Sequence, residues 1–137
     1  MKALDYVRAE DQLPEQARPP GGALDSSALV GTWFATDKQA LGVVRLELRQ
    51  RDGTLLVRAF GADPGEPYDW GEIEATAYGS SVTAVDAMAF SAVYDFGFLV
   101  TILAAYAKQG ILVLDTFNTF TDSSGRSNYF SREFFHR

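Results

Sequence analysis

A chain of 137 residues and 15.0 kDa has the length of one domain, and 47% hydrophobic with 22% charged residues is too apolar a mixture for a disordered segment. With no cysteine and His136 as its one histidine, it excludes a disulfide framework, a thiol nucleophile and a zinc–thiolate site, and it argues against a multi-histidine metal centre or a Ser-His-Asp triad. A net charge of −6 and a pI of about 4.6 disfavour binding to a phosphate backbone, and no cofactor, metal, nucleic acid or membrane partner is expected.

Composition divides the chain near Leu29. Residues 1–28 hold Pro14, Pro19 and Pro20 but one aromatic, Tyr6. This segment is either a loose tail or an arm that docks Leu4, Tyr6, Val7 and Leu13 on the body as a lid. Its start is broken by charge and has no apolar signal-peptide core. The most apolar run of the chain, Phe96 to Ala107, has 12 residues, whereas a membrane-spanning helix needs about 20. A soluble, cytoplasmic protein is the expectation.

Residues 29–137 read as strands throughout. Thr32–Thr36 is the first. In Val43–Arg49, Val44, Leu46 and Leu48 alternate with Arg45, Glu47 and Arg49, the period of a half-buried strand. Asp52-Gly53 then supplies a hairpin turn into Leu55–Phe60. As a two-residue loop it sets Leu48 against Val57, Leu46 against Ala59 and Glu47 against Arg58; a three-residue bulged loop would shift that register by one. Further strands are predicted over Trp70–Tyr78, Ala87–Asp95, Phe98–Ala107, Ile111–Phe120 and Ser127–Phe135, with Gly79-Ser80-Ser81, Lys108-Gln109-Gly110 and Asp122–Gly125 as turns. Eight strands with short turns leave no room for crossover helices, so the predicted fold is an all-β, eight-stranded antiparallel up-and-down barrel with an N-terminal arm, and a two-sheet sandwich is the alternative.

Leu29-Val30-Gly31-Thr32-Trp33, after Asp25-Ser26-Ser27, resembles the Gly-x-Trp motif of lipocalins, avidins and the wider calycin barrels. The resemblance covers residues 25–137. It implies that Trp33 plugs the closed end of the barrel and that an arginine of the last strand, Arg132, packs across it. A guanidinium there stacks on the indole and satisfies carbonyls where the barrel closes. Three further stretches are Asp69-Trp70-Gly71-Glu72, Tyr94-Asp95-Phe96-Gly97-Phe98 and Phe120-Thr121-Asp122-Ser123-Ser124-Gly125-Arg126-Ser127-Asn128-Tyr129. They resemble stretches in small bacterial proteins of uncharacterised function. Some of those bracket the loop before Asp-Trp-Gly-Glu with cysteines, where this chain has Ala62 to Tyr68. That resemblance implies a fold and no activity.

Several groups invite a chemical reading. Asp63, Glu66, Asp69, Glu72 and Glu74 place five acids and no base within 12 residues, which suits either a hard cation or a solvated acidic loop, and their spacing matches no calcium-loop motif. Asp122–Arg126 lacks the strand-to-helix elbow of a catalytic serine and reads as a turn, with Asp122 capping amides, Gly125 left-handed and Arg126 able to pair with the acidic loop. Gly61, Gly65, Gly71 and Gly97 read as bulges and bends. With Gln109-Gly110 as a turn, Asp115 faces Ala104 and Asn118 faces Thr101. Asp115 either projects inward, where desolvation would raise its pKa, or belongs to the outer face.

Three functions remain open. One is a binding module for a small apolar or aromatic molecule, lined by Trp33, Val44, Leu46, Phe90, Tyr94 and Phe117, with Trp70 near the mouth and Tyr94 as its polar contact. Another is a cofactor-independent cyclase or isomerase of natural-product biosynthesis, with Tyr94 and Asp115 as its acid–base groups. The third is an interaction protein with a filled barrel. The sixth strand is apolar on both faces, Phe98, Val100, Ile102 and Tyr106 on one and Leu99, Leu103 and Ala105 on the other. Its outer face therefore needs a cover, from the arm or from a second subunit, and a homo-oligomer, most simply a dimer, is expected.

Overall fold

The computed structural model describes residues 24–137, and the arm expected to dock through Leu4, Tyr6, Val7 and Leu13 lies outside them. The strands are β1 (Gly31–Ala35), β2 (Val43–Arg51), β3 (Thr54–Gly61), β4 (Tyr68–Tyr78), β5 (Ala89–Asp95), β6 (Leu99–Lys108), β7 (Ile111–Phe120) and β8 (Tyr129–His136). Each pairs antiparallel with the next and β8 returns to β1, giving a closed eight-stranded up-and-down barrel instead of a sandwich. Closure removes every sheet edge. Among the described residues no helix is long and apolar enough to cross a membrane.

The hairpins carry the registers that alternation dictates. Asp52 (φ 51°) and Gly53 (φ 80°) form the two-residue turn, and Leu48↔Val57, Leu46↔Ala59 and Glu47↔Arg58 follow. Gln109 (φ 54°) and Gly110 (φ 82°) do the same between β6 and β7, setting Ala104↔Asp115 and Thr101↔Asn118.

At the end of the barrel where β1 begins, residues 24–30 cross the opening. Asp25 bridges to Asp86, and its backbone bonds Val85 and Ala87. Leu29 and Trp33 are fully buried, and the indole Nε1 donates to the Leu29 carbonyl at 2.8 Å. The arginine across this plug is Arg137, not Arg132. Its guanidinium lies 4.3 Å from the Trp33 ring centroid and donates to the carbonyls of Val30 (2.9 Å) and Ala28 (3.0 Å). The role assigned by the calycin resemblance is thus filled five residues later. Phe135 points inward on β8, so Arg132 points out, where it forms a two-point ion pair with Asp115 at 2.7 and 2.9 Å. Gly31 (φ 134°) makes room for this clamp, because a Cβ there would stand 3.3 Å from Arg137 Cδ.

Side chains fill the barrel on the plug side. Leu46, Phe90, Leu103, Leu112 and Phe135 join Trp33 with almost no exposure. The outer surface carries a second apolar group. Along the register Val93↔Ile102↔Phe117↔Phe130, four adjacent strands present exposed hydrophobic side chains, and Tyr106 and Phe134 lie four residues further along β6 and β8. The predicted two faces of β6 are those observed, with Leu103 and Ala105 inside and Ile102 and Tyr106 outside.

These contacts set an order of stabilities. Trp33→Ala removes the largest buried side chain and is expected to cost about 3–5 kcal/mol. Arg137→Ala, which leaves two carbonyls to water and uncovers the indole, is expected to cost on the order of 1–2 kcal/mol. Arg132→Ala, at a half-exposed surface pair, is expected to change stability little. Urea unfolding of the three variants checks the order, and equal losses for Arg132→Ala and Arg137→Ala would contradict it.

Candidate functional site

Opposite the plug the barrel end is open. A cavity of about 770 Å³ opens between the β1–β2 and β3–β4 loops, with Leu41 and Gly42 on one rim and Ala62 and Asp63 on the other. Its walls differ in chemistry. Val43, Trp70, Leu99 and Leu114 provide apolar surface. Thr101, Asn118, Thr116, Ser131 and Glu133 run as a polar strip across β6, β7 and β8.

The strip is a chain of hydrogen bonds. Thr101 Oγ1 donates to Asn118 Oδ1 (2.8 Å), and Asn118 Nδ2 donates to Thr116 Oγ1 (2.9 Å) and to the Tyr129 carbonyl (3.3 Å). Thr116 and Ser131 share a further hydroxyl–hydroxyl bond. Asn118 and Thr101 are nearly fully buried, so their mutual pairing is what makes a polar wall tolerable there. Glu133, two residues beyond Ser131 on the same face, accepts from the backbone amide of Phe134 and forms no ion pair among the described residues. Burial lifts its carboxyl above the ordinary carboxylate value, and the charge of Asp37 on the β1–β2 loop adds to the rise.

Trp70 is held by its neighbours. Its ring meets Tyr94 and Phe96 edge-on, with centroids 5.3 and 5.1 Å away, and Tyr94 and Phe96 stack with 2° between their planes. Gly61 lets the indole approach, since a Cβ there would lie 2.7 Å from Nε1. The flanking acids of Asp69-Trp70-Gly71-Glu72 turn outward. Asp69 pairs with Arg58 (2.7 Å) and Glu72 with Arg49 (2.6 and 2.7 Å). The acidic stretch is thereby partly a set of surface ion pairs, and among the described residues no three His, Asp or Glu side chains are grouped as a metal ion would require. Arg126 pairs with Asp122 (2.7 Å) within its own turn and not with the acidic stretch, and its guanidinium covers Phe120.

The expected lining residues distribute unevenly. Trp70 lines the cavity near its mouth. Trp33, Leu46 and Phe90 point inward but belong to the packed core. Val44 is corrected: a bulge between Val43 and Arg45 reverses the alternation, so Val43 enters the cavity and Val44 lines an outer groove beside Arg45 and His136. Phe117 is corrected too. Leu114, Thr116 and Asn118 face inward, so Phe117 stands on the outer surface against Phe130. Asp115 shares that outer face, where hydrogen bonding to Arg132 holds its carboxyl below the usual value.

Tyr94 is buried, with its hydroxyl committed to the backbone. The ladder between β3 and β4 slips between Arg58 and Phe60, where Gly71 (φ 92°) sits opposite. The phenol enters this gap, accepting from the Ala59 amide at 3.0 Å and donating to the Gly71 carbonyl at 2.7 Å. Burial raises its pKa. Tyr94 and Asp115 therefore do not meet, and neither presents a proton-transfer group to the cavity.

Sequence reasoning missed Glu133, Ser131 and Thr116. The available signal was register: once Thr101 faces Asn118 across β6 and β7, period-two alternation carries the same face to Thr116 and then to Ser131 and Glu133 on β8. Comparison of the chain with protein-family models, curated proteins and solved structures finds no match.

Tyr94→Phe leaves the Ala59 amide and the Gly71 carbonyl of a buried bulge without their partner. It is expected to cost about 1–3 kcal/mol in urea unfolding and to leave the occupancy of the cavity by small molecules unchanged. A variant as stable as wild type, or one with weakened ligand binding, would show that the hydroxyl serves the cavity instead.

Proposed function

We propose that the protein is a small-molecule-binding barrel of calycin type, acting in the cytoplasm, whose ligand occupies the open half of the barrel. The observation that carries this reading is the cavity of about 770 Å³, within the range of small-ligand sites, placed where an eight-stranded barrel has room once its other end is packed. An aromatic and aliphatic wall faces a wall of paired hydroxyls and an amide, the usual division between surface that gives affinity and groups that orient. Tyr94 and Asp115, the acid–base groups expected for the cyclase or isomerase alternative, are engaged elsewhere, which leaves Glu133 as the partly buried carboxyl of the cavity wall.

Titration with the neutral, environment-sensitive fluorophore prodan tests the reading. Wild type is expected to bind it at micromolar affinity with a blue-shifted emission. Gly42 lies on the rim with open space where its Cβ would be, so Gly42→Trp blocks the mouth without disturbing the fold. That variant is expected to lose binding at least tenfold while its unfolding midpoint stays at the wild-type value. Equal binding by both proteins, or none by either, would overturn the proposal.

We infer further that the exposed outer row Val93, Ile102, Phe117 and Phe130 is covered by a second copy of the chain. The Asp115–Arg132 pair lies between this row and Tyr106 and Phe134. A two-fold contact would bring each carboxylate beside the partner's guanidinium while the apolar rows meet. Sedimentation is expected to give a dimer at 50 µM, on the order of ordinary working concentrations, and Phe117→Glu a monomer. A monomeric wild type would remove the second copy as the cover.

A further inference from the structure

The charged groups of the cavity are of one sign. Glu133 projects from β8 into it, Asp37 stands beside Glu133 on the β1–β2 loop, and Asp63 faces them from the β3–β4 loop. Among the described residues no lysine, arginine or histidine lines it. The nearby cations are turned away: Lys38 and Arg45 line the outer groove on the far side of the β1–β2 loop, and Arg126 is held by Asp122 over Phe120.

The polar strip leads across β6, β7 and β8 to Glu133. Thr101 gives its proton to Asn118, and Asn118 gives one to Thr116. Thr116 and Ser131 then share a hydroxyl–hydroxyl bond in which either oxygen can donate. Ser131 and Glu133 are the last polar groups of the strip, side by side on one strand face, and the partly buried carboxylate pairs with no cation among the described residues. Across the cavity the Trp70 indole is fixed by Gly61, Tyr94 and Phe96 and offers a ring face or edge to whatever enters.

A ligand that meets this arrangement without a penalty has an apolar or aromatic body and a positively charged, hydrogen-bond-donating end. An anionic end would face three carboxylates, of which Glu133 is partly desolvated and Asp37 and Asp63 are exposed, and a neutral end would leave Glu133 without a cation. We propose that the cavity selects small organic cations, a protonated amine set against Glu133 and Asp37 with its hydrocarbon or ring portion against Trp70. This rests on the reading of the cavity as a ligand site and names the class of ligand.

Three molecules sharing one indole ring test the proposal by calorimetric titration: tryptamine as the cation, 3-ethylindole as the neutral analogue and indole-3-propionate as the anion. At pH 7.5 tryptamine is expected to bind at least tenfold more tightly than 3-ethylindole, and indole-3-propionate most weakly. Glu133→Gln is expected to bring tryptamine to the affinity of 3-ethylindole without changing the latter. Affinity for tryptamine should also fall as the pH drops through the raised pKa of Glu133, whereas that for 3-ethylindole should not. The same titration has a signature in stability. A carboxyl whose pKa is raised by folding contributes most below its unfolded value and loses that contribution as pH rises through the folded one. Glu133→Gln without ligand is therefore expected to be at least as stable as wild type at pH 7.5, so lost amine binding will not reflect unfolding. Prodan binding with no preference for tryptamine, or with a preference that survives Glu133→Gln, would overturn the cation proposal and leave the cavity reading in place. Failure of prodan and of all three indoles would overturn the cavity reading itself.

Discussion

The barrel depends on a short seam. Seven of its strand pairs are consecutive hairpins, but closure requires β8 to find β1 across more than a hundred residues, and the two share the pairs Phe34↔His136 and Ala35↔Phe135 alone. A seam so brief contributes few ladder hydrogen bonds, and the loop it closes is the longest in the fold. Trp33 and Arg137 supply what the ladder does not. The arginine leaves the end of β8, stacks on an indole of β1 and ties down the carbonyls of Ala28 and Val30. One cation thereby joins the last strand, the first strand and the segment that plugs the barrel.

Closing one end with an indole also decides what the other end can be. An eight-stranded barrel is wide enough to hold either packed side chains or a small molecule. Here the large side chains, Trp33, Phe90 and Phe135 with the leucines around them, gather on the plug side. Towards the other end the inward positions become Thr101, Thr116, Asn118 and Ser131, which line the cavity. The packed core and the open cavity thus occupy different halves of the barrel. Two bulges mediate the change. The one at Val43–Arg45 redirects β2 at the rim, and the one at Gly71 lets Trp70 reach the cavity while Tyr94 repairs the broken ladder.

What the sequence made legible follows from the same physics. Charge alternating with apolar residues in Val43–Arg49, and turns at Asp52-Gly53 and Gln109-Gly110, determine strand order and register, because a slip by one residue would bury charge. Alternation fails where a bulge interrupts it, and nothing in Val43-Val44 marks which valine turns inward. It also misleads where the interior is polar. In Leu114–Asn118 the aromatic Phe117 is the natural candidate for the inside, yet Thr116 and Asn118 are inside and Phe117 outside, since the strip of hydroxyls is paired across strands and the outer face is apolar. The exchange of Arg132 for Arg137 has a simpler cause. Parity along β8 places Arg132 on the outer face once Phe135 points in, and Arg137, two residues after Phe135, is in phase with the inner face and reaches the indole.

Reversal of polarity on β6, β7 and β8 relates the two surfaces of the same strands. A strand that turns Thr116 and Asn118 inward has Asp115 and Phe117 to show outward, and β8 likewise turns Ser131 and Glu133 inward and Phe130 and Phe134 outward. A polar inner wall without water-filled disorder requires partners, which the Thr101–Asn118–Thr116–Ser131 chain supplies internally. An apolar outer wall requires cover, which nothing among the described residues supplies. The exposed row is therefore best understood together with the cavity. Strands whose inner positions are given to polar groups have their apolar residues left on the outside, which is why the exposed row and the polar strip share the strands β6, β7 and β8.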